Sequence, residues 1–486
     1  MRAIATLALA AALVGCGAFP VGPDYAGAPA TRALSQAAAR AEGIQAHSAP
    51  APADDRWQAR LPHGGEPVDL ARWWSQFDDP ALDALLAAAQ REAGSLAQAV
   101  ARIEQARAAA IATGLPTLDL NLASSRGTIS IGTSLLLATQ NRATVQAGWE
   151  IDLFGRIARE REASLARLDA RTAEWHDARV SVAAETAAQY LQYRYCEALV
   201  AIAQADAASR AETASITDRA AVAGFQAPAA AALTRASAAE AAGRLTGQRA
   251  ECDLTVKALV ALTGLDEPQV RARLAAAQGR LPAPRAFEVG AVPAGLLAQR
   301  PDLAAAERAL AAASADIGVA EGDRYPRLSL AGSVGPLRID AGQLGATLTT
   351  WSIGPSLSLP IFDGGRRRAT VEAARAAYAA AEADYRTRAR QAVREVEEAL
   401  VRLQSAADRE ADARIAAAGY RRAFEAAQIR WKGGLGSLLE REESRRYTLA
   451  ADSTLAGVQR DRVAAWVALY RALGGGWKNT NEDARQ

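Results

Sequence analysis

The sequence predicts an α+β membrane protein. Three copies, giving four strands each, would build a twelve-stranded transmembrane β-barrel, continued by a long rod of antiparallel coiled-coil helices. Three observations carry this. Short stretches alternate apolar and polar residues with a period of two, and WEIDLFGR at 149–156 ends the clearest of them. Between them run long alanine-rich stretches of mixed charge with the look of helix. The whole arrangement occurs twice, with landmarks 210 residues apart.

The N-terminus sets the compartment. Arg2 precedes an apolar run, Ile4 to Val14, that is too short to span a membrane and reads as a secretion signal, residues 1–15. LVGC at 13–16 resembles a bacterial lipobox, which implies cleavage before Cys16 and lipid on its sulfur and amine. Gly17 stands where an inner-membrane retention signal would have Asp, so the outer membrane is expected. Residues 16–78 then form a lipid-anchored N-terminal segment. No later stretch offers the roughly 20 apolar residues of a membrane helix, so any crossing is made by strands. The formal net charge of +2 is spread along the helices, which gives no nucleic-acid surface. His47, His63 and His176 are scattered, so no metal site and no cofactor is expected.

The first repeat, 79–265, opens with Asp79-Pro80, an N-cap followed by Pro at the first helical position, and its helix should run to about 112. A β-hairpin is expected over about 116–153. Its first strand, 116–124, puts Leu118, Leu120 and Leu122 on one face and Asp119 and Asn121 on the other. Its second, 143–153, sets Val145, Ala147, Trp149, Ile151 and Leu153 against Glu150 and Asp152. A helical hairpin follows over about 156–263, turning near Gly224. A linker, 266–299, leads to the second repeat, 300–475, whose helix begins at Pro301. Its β-hairpin, about 327–361, sets Trp351, Ile353, Leu357 and Leu359 against Ser356 and Ser358. Its helical hairpin runs over about 366–472, and 476–486 is a tail. Pro116 and Pro326, Gly155 and Gly365, Gly224 and Gly434, and Gly264 and Gly474 keep the same offset, so one unit has been duplicated. At 1.5 Å per residue the long helices span roughly 100 Å each and the return helices roughly 57 Å. Arg300-Pro301-Asp302 reads as a helix-start signal.

Four strands of about ten residues suit a tilted membrane crossing but cannot close a barrel, and lipid tolerates no open sheet edge. Two copies give eight strands, whose interior side chains fill; three give twelve, the smallest ring of this unit with a water-filled lumen. Asp119, Asn121, Glu150, Asp152, Ser356 and Ser358 would line that water, with Trp149 and Trp351 facing lipid. Cys196 and Cys252 lie equally far from Gly224, so an antiparallel hairpin would bring them level, and an oxidising compartment permits a disulfide.

VGPDY (21–25), WW-x-x-F-x-DP-x-L (73–82), WEIDLFGR, RPDL-x-x-AE (300–307), PIFDGGR (360–366) and LYRALGGGW (469–477) together resemble the TolC-type outer-membrane efflux channels. The NodT/OprM-like lipoprotein branch is the nearest in pattern. The resemblance implies a homotrimeric exit duct partnered by a periplasmic adaptor (a membrane fusion protein) and an inner-membrane pump of the resistance-nodulation-division class. It implies a resting periplasmic gate at Leu439 and Glu443 in GLGSLLEREES, where Glu replaces the family's Asp and Arg441 and Glu442 stand at apolar positions. It also implies adaptor contacts at the turns Gly224-Phe225 and Gly434-Leu435. With or without a gate, Ser437 and Glu440 read as a capping box. An exit duct for type I secretion or metal efflux fits the same features, as does a lipid-anchored coiled-coil scaffold, though the scaffold leaves the strands unexplained. No HExxH, GxSxG or Walker motif suggests an enzyme.

Overall fold

The structure is a computed structural model that describes residues 20–25, 27, 66–67, 70–111, 114–131, 134–276, 281–282, 287–288, 299–341 and 344–477. Signal residues 1–15 and Cys16 lie outside them, as does the tail beyond Trp477. The chain divides into two compact units. One comprises 1–45, 101–172 and 305–386; the other comprises 46–100, 173–304 and 387–486.

The described elements follow one another in this order. β1 (Glu66–Pro67) and a 3-10 turn (Leu70–Phe77) precede α1 (Pro80–Glu92) and α2 (Gly94–Ile111). Then come β2 (Thr117–Ile131), β3 (Ser134–Ile151), α3 (Arg156–Val222), α4 (Pro228–Thr263), α5 (Glu267–Ala275) and β4 (Phe287–Glu288). The second half runs α6 (Pro301–Gly322), β5 (Arg327–Ala341), β6 (Leu344–Ser358), α7 (Arg366–Lys432) and α8 (Leu438–Ala472). Helix, hairpin, long helix and return helix thus occur twice.

Two expectations need correction. The helix expected from Asp79-Pro80 to about 112 is two helices. The Ala93 backbone leaves helical geometry (ψ 119°) ahead of Gly94-Ser95, a pair of poor helix formers that marks kinks. The strands are also longer than the alternation suggested, with β2 running to Ile131 and β3 starting at Ser134. The sequence signal fades there because the two faces of the sheet exchange polarity partway along, so a single apolar stripe stops.

In the sheet-bearing unit, four antiparallel strands are ordered β2-β3-β5-β6. Gly155 (φ +73°) makes the bend from β3 into α3. The extended N-terminal stretch docks beside it. Val21 N–H donates to the Phe154 carbonyl at 3.2 Å, and Arg159 pairs with Asp24. Tyr25 packs against Leu310 and Tyr385, and burial next to Glu307 pushes the Tyr25 hydroxyl pKa far up.

The other unit carries the main core. Trp73, Leu82, Leu85, Tyr190, Val256, Leu259, Leu274, Leu400, Trp466 and Leu469 are buried together. A polar chain threads it. Asp79 caps α1, accepting from the N–H groups of Ala81 (3.0 Å) and Leu82 (3.3 Å), and its second oxygen accepts from the Tyr190 hydroxyl. The Tyr190 oxygen accepts from Arg194 Nε at 2.9 Å, and Arg194 reaches on to the Leu274 carbonyl in α5 at 2.8 Å. Arg300 does more than start α6. It forks onto Asp302 at 2.9 and 2.7 Å, pairs with Glu395 of α7 at 2.8 Å, and donates to the Ala472 carbonyl at the end of α8 at 3.0 Å. Cys196 of α3 and Cys252 of α4 are joined as a disulfide with their Cα atoms 5.6 Å apart.

Candidate functional site

The register assigns each strand residue to a face, because successive side chains alternate. Asp119 lies opposite Gln146, Gln146 opposite Ser333, and Ser333 opposite Ser352. Glu150 lies opposite Ser329, and Ser329 opposite Ser356. Asn121 pairs with Thr144, Ser358 with Arg327, and all of these share one face. The Asn121 amide donates to Gln146 at 2.9 Å, and Ser333 and Ser352 hydroxyls meet at 2.8 Å. The alternation in the sequence already puts Thr144, Gln146, Ser333 and Ser352 on the polar faces of their own strands. Only cross-strand register brings them beside Asp119 and Asn121.

Five of the six expected lumen residues therefore lie on one polar face, and Asp152 leaves it. It follows the last residue of β3, and its Oδ2 accepts from the Ala158 N–H at 2.8 Å, so it serves the first turn of α3. Glu150 keeps its place, but its charge is held by Arg156 at 3.0 Å. That carboxylate and those of Glu160 and Asp323 keep the Arg156 guanidinium charged against the cost of burial.

The reverse face carries Leu118, Leu120, Trp351, Ile353 and Leu357, all exposed in the single chain. Water does not favour so large an apolar surface; hydrocarbon does. Among the described residues β2 and β6 each have a neighbour on one side only, leaving two free edges. Among the described residues no helix is long and apolar enough to cross a membrane.

In the core-bearing unit the two tight turns share one geometry. Phe225 N–H donates to the Ala220 carbonyl at 2.8 Å and Gly224 N–H to Ala221 at 3.0 Å, with Gly224 at φ +80°. Leu435 N–H donates to Arg430 at 2.8 Å and Gly434 N–H to Trp431 at 3.0 Å, with Gly434 at φ +72°. Both are Schellman caps, whose left-handed residue favours Gly. They leave Phe225 84% and Leu435 79% exposed.

One turn into α8, Leu439 and Glu443 are both exposed, four residues apart on one face. Ser437 caps the helix through Glu440 N–H at 3.1 Å, but the Glu440 carboxylate pairs with Arg430 at 2.8 Å, so the expected capping box is only half formed. Arg441, at a position where the family pattern is apolar, is buried. It stacks over Trp431 and pairs with Glu212 of α3 at 3.1 Å. Burial draws the neighbouring Arg445 guanidinium pKa down. Among the described residues no group of three or more His, Cys, Asp and Glu is placed to hold a metal.

A polar-faced sheet with free edges and an apolar back, in a chain that also forms long helical hairpins, defines the protomer of a membrane channel. The profile of the outer membrane efflux protein family matches residues 85–265 and 292–475, and the chain belongs to that family. It is 31% identical over 414 residues to nodulation protein T of Rhizobium leguminosarum bv. viciae, covering 84% of this chain and 85% of that one. It is 30% identical over 444 residues to outer membrane protein OprJ of Pseudomonas aeruginosa, covering 88% and 91%. Among solved structures, the outer-membrane channel OprN superposes with a TM-score of 0.77 at 29% identity, covering 95% of this chain and all of that one. The fold class is that of the trimeric TolC-type channels, a barrel completed by three copies above a helical tunnel. The chain is an outer membrane efflux protein.

Proposed function

We propose that three copies of this chain form the exit duct of a tripartite efflux system. It passively conducts small molecules from a periplasmic adaptor and an inner-membrane resistance-nodulation-division pump to the outside. The observation that carries this is the sheet: two unpaired edges, one polar face and one apolar face. In lipid the edges of β2 and β6 must be satisfied, and copies of the same chain supply the missing partners. The polar face, with Asp119, Asn121, Glu150, Ser356 and Ser358, then lines water. The duct performs no chemistry, so it needs no catalytic group or cofactor; the pump supplies energy and selects cargo.

The exposed turns at Gly224-Phe225 and Gly434-Leu435 offer two similar apolar tips per copy to the adaptor. Leu439 and Glu443, repeated three times, form the resting constriction at the periplasmic end. A ring of three carboxylates attracts cations, which gives the closed duct an ionic preference. Lipid on Cys16 anchors the chain. Pro20 is four residues further on and docks at Gly155, where strand becomes helix, and four residues reach about 14 Å at most. The anchor thus enters the membrane beside the barrel.

The test is the native mass of protein extracted from outer membranes in mild detergent, followed by conductance in planar bilayers. A trimer that conducts supports the duct. A lipidated monomer with no conductance refutes it in favour of an anchored scaffold.

A further inference from the structure

Among the described residues each strand pair keeps one constant offset, although the β3–β5 pairing skips Ala143 and Thr144 and goes no further toward the tip than Thr139 opposite Asp340. A face can therefore be followed by parity alone. The lipid-side face is apolar from Ile151 on β3 up to the level of Leu122, Ala143 and Pro336, where Thr349 opposite Pro336 is the first polar side chain. At the next row, Ser124, Asn141 and Arg338, it turns polar. Ser124 bonds Asn141 at 2.7 Å, and Arg338 pairs with Asp340 at 3.0 Å. The apolar stretch of β3, Ala143 to Ile151, is about 27 Å along the strand. Tilted by about 40°, it is about 21 Å high, near the ~25 Å band of outer-membrane barrels. The hydrocarbon ends there, and the tip half of each hairpin stands in water.

The opposite face changes in the contrary sense at the same level. Beyond the polar rows it carries Leu337 between Leu348 and Arg142, then Ile339 between Ala346 and Gln140, with Ser125 opposite Gln140, and near the tip Ile129 opposite Leu136. In the single chain Leu337 is 9% and its inward-face partner Leu348 52% exposed, and Leu137 and Leu135 on the outward face are 56% and 75% exposed. Beyond the lipid the larger share of apolar side chains lies on the axis side, interrupted by Arg142, Gln140 and Ser125, while the outward side keeps Leu135 and Leu137.

Resting on the exit-duct reading above, we infer that these apolar tip faces of three copies pack toward one another and form a collar that narrows the outer mouth. The occupant of each face is the same face of the other copies. The free edges of β2 and β6 continue into neighbouring copies, and threefold symmetry turns identical faces onto one axis. Left around an open water column, these side chains would stay hydrated, which is unfavourable. Gathered together, they exclude water and hold back ions, as apolar constrictions do, while apolar cargo passes by displacing them.

The test uses the full-length lipidated protein as a detergent-solubilised trimer. With a short bismaleimide, Leu348→Cys should give a band at twice the chain mass in denaturing gels. Thr347→Cys, one residue away on the outward face, should not. Leu348→Ser should raise single-channel conductance, and Thr347→Ser should leave it unchanged. If the native mass stays trimeric while the two Cys variants cross-link alike or not at all, and Leu348→Ser conducts like the parent, the collar is overturned and the duct stands. Loss of the trimer in the unmodified protein overturns both.

Discussion

Replacing Asp79 separates two jobs done by one carboxylate. One oxygen caps α1 at Ala81 and Leu82, and the other accepts from Tyr190, which in turn holds Arg194. Asp79→Ala removes the cap, worth about 1 kcal/mol. It also strands the buried Tyr190 hydroxyl, at about 1–3 kcal/mol. Local opening of α1 should therefore become easier by about 2–4 kcal/mol, roughly 30- to 1000-fold in amide exchange. Asp79→Ser keeps a capping oxygen but cannot reach both partners, so it should recover about 1 kcal/mol of the loss, roughly fivefold. Native-state hydrogen exchange read by mass spectrometry on peptides covering α1 and α5 measures this within the intact trimer. α5 should respond too, because Arg194 holds the Leu274 carbonyl. If Asp79→Ala changes exchange less than about twofold, or the Ser and Ala variants coincide, the two-job account is wrong.

Leu439→Ala with Glu443→Ala should raise resting single-channel conductance and weaken cation preference; a channel unchanged in both would remove these residues from the gate. Burial beside Glu307 pushes the Tyr385 hydroxyl up to about 12, against about 10 in an unfolded chain. Its contribution is complete below pH 10 and lost as pH rises through 12, in all about 2–3 kcal/mol. Tyr385→Phe should flatten thermal stability across that window, and an unaltered profile would contradict the assignment. Unreduced, denatured protein should show no free thiol from Cys196 or Cys252. The 56-residue separation of the pair predicts that removing the disulfide costs up to about 4 kcal/mol in denaturation, and two free thiols before reduction would end this.

Alternation made the base of each hairpin readable, because it lies at a boundary between two solvents, and the long helices were readable from their alanine-rich, mixed-charge composition. The landmarks at a fixed spacing exposed the duplication, and Gly224 and Gly434 fell at left-handed caps. The distal strands from Ser124 and Leu337 onward were not legible, since a strand that exchanges its faces shows no single stripe. Asp152 misled because alternation continues by chance into a capping residue, which only the hydrogen bond to Ala158 reveals. Arg441 looked like surface charge, yet Trp431 and Glu212 supply a stacking and an ionic partner that lie far away in the chain or in another turn. Polar pairings such as Asn121 with Gln146 depend on register, which no single strand records.

The two unpaired strand edges have a genetic consequence. A subunit that cannot offer β6 to its neighbour does not merely fail by itself; it opens the ring it joins. With equal amounts of sound and defective chains mixing freely, only about one assembly in eight would contain three sound copies. Alleles that damage the β6 edge while sparing the helices should therefore act dominantly, poisoning the sound product, whereas alleles that prevent the chain from being made should be recessive.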